Sequence, residues 1–180
     1  MRRTLVLLAS LCALTTPLGA APRAQSLEAP QQWREIRWPF PRDAWPSGKA
    51  FTCIDASCGG GAVLSVRVKI GFCNCDTGIR DDDEVDNVAD VDMVTPDFVP
   101  SGPGEAIRVA NFPGRIRSYG YNAEGKSRTA LGLALARKCD LIAISVNSPK
   151  MDEAALRRKV VERLQSPDLL KWINRQLGEK

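Results

Sequence analysis

Between Gly71 and Asp92 the chain reads GFCNCDTGIRDDDEVDNVADVD, two cysteines one residue apart followed by a run dominated by acids. Three chemistries suit such a stretch. Thiolates at Cys73 and Cys75, joined by Cys139 from further along, are soft ligands for copper or zinc. The same C-x-C pair, closed into a strained and readily reduced ring, would serve thiol exchange. In an oxidising compartment the plainest use of the cysteines is a disulfide framework.

Spacing and composition weigh among these. C-x-C lacks the gap of two to four residues found in structural zinc knuckles. Copper sites in exported proteins draw on His or Met, yet the chain has no histidine and, past its first residue, only Met93 and Met151. Cys53, Cys58, Cys73, Cys75 and Cys139 follow the amino-terminal leader, so at least one thiol of the five stays unpaired within a monomer. A Cys53–Cys58 bridge would close a short loop. Cys139 opens the last expected strand, where either Cys73 or Cys75 could meet it. Disulfide scaffolding with no cofactor is therefore the leading expectation. The alternative is a redox factor or a copper or zinc carrier working through Cys73 and Cys75.

The acids Asp81, Asp82, Asp83, Glu84 and Asp86 invite a calcium reading, but no window supplies the alternating ligands, central glycine and terminal glutamate of an EF-hand. A helix start accounts for them: Asp81 or Asp82 as N-cap, the next acids on the positive end of the dipole, and Val85, Val88, Ala89 and Val91 facing inward. An acidic surface able to attract cations weakly is expected there. Without histidine there is no Ser-His-Asp or Cys-His nucleophile pair. Acids are abundant, but no pattern brings two together in a cleft for acid–base or glycosidic work. No catalytic residue is assigned, and a non-enzymatic role is favoured.

The elements that would position these residues begin with a leader. Arg2 and Arg3 precede an apolar run from Leu5 to Leu14, then a Thr/Pro break and small residues, the layout of a signal peptide over residues 1–24 with cleavage near Ala20 to Ala24. A periplasmic or secreted chain follows, with no segment long and apolar enough to span a membrane. Loss of Arg2 and Arg3 takes the formal charge from +4 to +2, too little for a global attraction to nucleic acid. Residues 25–46, rich in Trp and Pro, read as an extended arm laying Trp33, Trp38, Phe40 and Trp45 onto one domain over 47–180.

Within that domain KAFTC and AVLSVRVKIGF read as strands around a glycine turn. The alternation of Leu64, Val66, Val68, Ile70 and Phe72 with Ser65, Arg67, Lys69 and Gly71 marks a half-buried strand. EAIRVANF, RIRSYGYN, SRTALGLALAR and DLIAISVN predict an antiparallel meander, with turns at Pro113-Gly114 and NAEGK. Ala154, Leu156, Val160, Val161 and Leu164 recur at helical spacing. Ser166-Pro167 then caps a second helix carrying Leu169, Leu170, Ile173 and Leu177. The fold class is α+β, an antiparallel sheet with amphipathic C-terminal helices on one face.

DAWPSGKAFTC, GFCNCDTGIRDDDEVDNVADVD and KCDLIAISV resemble segments of small, uncharacterised exported proteins of Gram-negative bacteria. That resemblance covers most of the mature chain and implies no particular activity. The order of elements more loosely resembles the Mog1/PsbP-like α+β architecture, from which no functional residue carries over. The reading is an exported binding or accessory protein stabilised by disulfides. Its partner is an unspecified protein or small ligand.

Overall fold

A computed structural model describes residues 32–58, 60–149 and 151–178. The expected signal peptide, Cys12 and the start of the arm lie outside them. Eight strands form one antiparallel sheet: β1 (Trp33–Ile36), β2 (Lys49–Cys53), β3 (Val63–Lys69), β4 (Val99–Pro100), β5 (Glu105–Val109), β6 (Phe112–Ala123), β7 (Lys126–Arg137) and β8 (Asp140–Ser148). The spatial order is β1-β2-β3-β8-β7-β6-β4, with β5 beside β4 on the free side of β6. Two meanders are thus zipped together along β3 and β8, from Val63 opposite Asn147 to Lys69 opposite Leu141.

The expected four-strand meander is present as β5 to β8. Glu124 and Gly125 make the β6–β7 turn, both at positive φ, as a tight two-residue hairpin requires. The expected turn at Pro113-Gly114 is not there. The chain reverses instead at Ala110-Asn111, and Pro113 lies inside β6 opposite Arg108. Proline is tolerated because the β6–β7 ladder begins one residue later, with Gly114 opposite Leu135, so no pairing needs its missing N–H. Gly114 itself is required, since a Cβ there would fall 2.0 Å from the Ala134 carbonyl oxygen.

Both faces of the sheet are covered. On one, α2 (Glu153–Leu164) and α3 (Pro167–Gln176) bury Leu156, Val160, Leu164, Leu169 and Ile173 against Phe51, Leu64, Val66, Leu131, Leu133 and Ile144. Asp152 caps α2 by accepting the Ala155 N–H at 3.0 Å. Ala154, expected on the buried stripe, is exposed, being in the first turn before the helix meets the sheet. Ser166 precedes Pro167 as expected, but its hydroxyl turns back to the Arg163 carbonyl at 2.6 Å rather than capping α3.

On the other face α1 (Asp82–Val88) and the following turn bury Val85, Ala89 and Val91 against Tyr119, Ala130, Ala134 and Ala143. Gly132 permits this approach, because a Cβ there would meet Val91 Cγ2 at 2.7 Å and Tyr119 Cε2 at 3.0 Å. The half-buried expectation for β3 fails for the same reason. Ser65, Arg67 and Lys69 are buried too, while Ile70 and Phe72 lie past the strand end and are 57% and 42% exposed. In the Trp-rich arm, Trp33 starts β1 in the core. Trp38, Phe40 and Trp45 are half-buried.

Candidate functional site

The C-x-C loop is pinned at the mouth of β8. Gly71 N–H donates to the Asp140 carboxylate at 2.8 Å, and Cys73 N–H to the Cys139 carbonyl at 2.9 Å. The Asn74 side-chain oxygen accepts the N–H groups of Asp76 and Thr77, at 3.0 and 3.2 Å, which turns the chain back. Cys75 is bonded to Cys139 across 64 residues with Cα atoms 4.2 Å apart, and Cys53 to Cys58 across the short loop. Of the two partners open to Cys139, Cys75 is the one joined.

Cys73 is the unpaired thiol among the described residues. Burial first, then the charges of Glu84 and Asp140, push its pKa up, the reverse of what a reactive thiolate needs. The soft-metal set Cys73, Cys75 and Cys139 is not assembled, because two of its three sulfurs are bonded to each other. Among the described residues no group of three His, Cys, Asp or Glu side chains is placed to hold a metal ion. The small Cys73–Cys75 ring does not form either.

The acidic stretch is partly turned inward. Asp81 caps α1, accepting the Glu84 N–H at 3.0 Å, and Asp83 is exposed. Asp82, however, accepts the Gly104 N–H at 2.9 Å and Arg115 at 2.6 Å, contacts that hold its carboxyl below the usual carboxylate range. Asp86 takes Arg117 and the Tyr119 hydroxyl, each at 2.6 Å. Burial, aided by Asp86, keeps that phenol protonated. Two of the five acids expected on the surface therefore fasten α1 to β6, whose arginines offset their mutual repulsion.

A second ionic cluster sits beneath the arm. Arg67 donates to Asp90 through Nη2 at 2.8 Å and to both Asp43 oxygens through Nη1 at 2.9 and 2.7 Å. Lys69 reaches Asp90 at 2.7 Å. Burial alone would lower the Arg67 pKa, but the bonds from Asp90 and Asp43 outweigh it and hold the guanidinium charged. Asp90 adopts a left-handed conformation, φ 59°, that aims its carboxylate down at β3. The signal in the sequence was a pair of cations among branched apolar residues of one strand. Their partners lie 21 to 24 residues away in loops.

A cleft of about 380 Å3 opens between β5 and α2. Ile107 and Ile116 with Val161 give it apolar walls, and Glu105, Arg157, Arg158 and Glu162 edge it. Arg157 spans the cleft end, reaching Glu105 at 3.1 Å and the Ser118 hydroxyl at 3.1 Å. Among the described residues β5 pairs only with β6. Antiparallel pairs alternate in hydrogen bonding, and the two-residue turn makes Val109–Phe112 a bonded pair; Ile107 and Glu105 follow suit. Ala106 and Arg108 consequently turn their backbone N–H and C=O outward from the sheet. Sequence reading missed this site, since it drew the turn three residues late.

No family profile matches the chain, and no curated protein matches it. Among solved structures it is similar to LpqN, described as involved in cell envelope biogenesis of Mycobacterium tuberculosis, at 15% identity and a TM-score of 0.39 over 74% of this chain and 75% of that one. A likeness at that level carries no functional implication.

Proposed function

We propose that the protein is an exported, non-enzymatic binding or accessory protein that takes an extended apolar segment of a partner along β5. The observation that carries this reading is an edge strand with outward backbone groups opening beside an apolar cleft. A peptide laid there would add a strand to the sheet through Ala106 and Arg108, with alternate side chains entering the cleft against Ile107, Ile116 and Val161. Export is supported by the leader pattern and by the two disulfides, which belong to an oxidising compartment. A non-catalytic role is supported by the carboxylates Asp43, Asp82 and Asp168, all held below their usual range by structural hydrogen bonds.

Selection of a displayed peptide library against the mature protein tests it. Enriched sequences should alternate apolar and polar residues. Their binding should vanish with Ala106→Pro, which removes an outward donor while sparing the β6 pairing, and persist with Cys73→Ser. Failure to enrich any peptide, or equal binding to folded Ala106→Pro, would overturn the reading.

A further inference from the structure

On the opposite side of β5 a second cleft, of about 410 Å3, opens where the tips of two hairpins meet the C-x-C loop. Its cations come from three elements: Arg108 near the end of β5, Arg137 at the end of β7, and Lys138 in the β7–β8 turn. Asn111 and Thr77 add neutral polar groups, and Asp76 is the one acid among the described residues of the lining. Arg108 and Lys138 have no ion-pair partner among the described residues. The side-chain contact of Arg108 is to the Asn111 carbonyl at 3.4 Å.

The loop that forms the far wall is fixed there by the Cys75–Cys139 bond, since Cys139 belongs to the same turn as Lys138. Gly78 lets that wall close in, because a Cβ there would lie 3.3 Å from Ala136 Cβ. The C-x-C motif thus acquires a role as the clamp that holds a polar wall against three cations. The charges of Arg108 and Lys138, which no described acid neutralises by an ion pair, raise the local potential of the concavity, and an anion entering it relieves their repulsion. The Arg108 guanidinium and the Lys138 ammonium suit carboxylate or phosphate oxygens, the arginine by paired N–H donors.

We infer that this cleft is a binding site for a small ligand carrying a phosphate or carboxylate group. It lies on the other face of β5 from the proposed peptide site, because Ile107 and Arg108 point to opposite faces of the same strand; the peptide would use the Arg108 backbone and the anion its side chain.

Titration calorimetry of the mature protein tests it, with inorganic phosphate and citrate as the probes and ionic strength held constant with sodium chloride. One saturable event is expected with at least one probe, and the probe that binds identifies the head group. Arg108→Gln and Lys138→Gln should each weaken it by about tenfold. Lys171→Gln, an exposed cation outside both clefts, should leave it unchanged. No saturable heat from either probe would overturn the inference. So would the same loss from Lys171→Gln, which would mean general charge screening. Unchanged melting of the three variants separates lost binding from lost folding.

Discussion

Cys139→Ser should cost more stability than loss of the other bridge, and the size of the gap follows from chain length. The Cys75–Cys139 bond joins residues 64 apart, whereas Cys53–Cys58 joins residues 5 apart. Loop-closure entropy in the unfolded chain then gives about 4 kcal/mol for the long loop and about 2 kcal/mol for the short one. Cys75→Ser should behave differently from Cys139→Ser, although both delete the same bond. Cys73 N–H already donates to the Cys139 carbonyl, so the Cys73 sulfur is the nearest replacement and closes a loop of almost the same length. Urea unfolding of the oxidised variants, followed by tryptophan fluorescence, measures the losses, and peptide mapping identifies the bridges. The expected order of loss is Cys139→Ser, then Cys53→Ser, with Cys75→Ser partly rescued and carrying a Cys73–Cys139 bond. If Cys139→Ser loses no more than Cys53→Ser, the entropic account fails. If Cys75→Ser shows no new bond, the rescue fails.

Cys73→Ser should cost less stability than loss of either bridge, because its thiol is unpaired and only partly buried. Its alkylation at neutral pH should be slower than that of an unfolded thiol, since burial and nearby carboxylates raise its pKa. Asp90→Ala strands Arg67 and Lys69 without their shared carboxylate and should lose about 3–5 kcal/mol in denaturant unfolding. Gly132→Ala drives a Cβ into Val91 and Tyr119 and should lose about 1–3 kcal/mol by the same measurement. The Arg163 hydrogen bonds depress Asp168 from 3.8 to about 2, so the stability it adds is present above pH 3.8 and disappears as pH falls toward 2. Acid titration of the wild type against Asp168→Asn should show that part of the slope missing in the variant.

Legibility followed the range of the interactions. The β6–β7 turn was visible because Glu124-Gly125 announces a two-residue hairpin locally. α2 was visible in its 3.6-residue period and in Asp152 at its start. Pro113-Gly114 misled because proline punctuates most sequences as a turn, yet here it sits where one ladder has not begun. The acids at Asp82 and Asp86 looked like surface because their partners Arg115 and Arg117 are about thirty residues away, on a strand with no local link to α1. The same holds for Arg67 and Lys69, where period two indicated a polar face and gave no hint of a covering layer.

Composition and local pattern indicated the α+β class, six of the eight strands and the two C-terminal helices, made a Cys53–Cys58 bridge plausible, and established the odd number of thiols. Each depends on residues close in sequence or on counting. Which cysteine met Cys139, which strand became the edge, and which charges were buried depended on the zippering of β3 to β8 and the placement of α1 and the arm. These are contacts across dozens of residues, set by how the two meanders dock and by which faces the helices cover. Tertiary structure alone decided them, and with them the two clefts that β5 carries on its opposite faces.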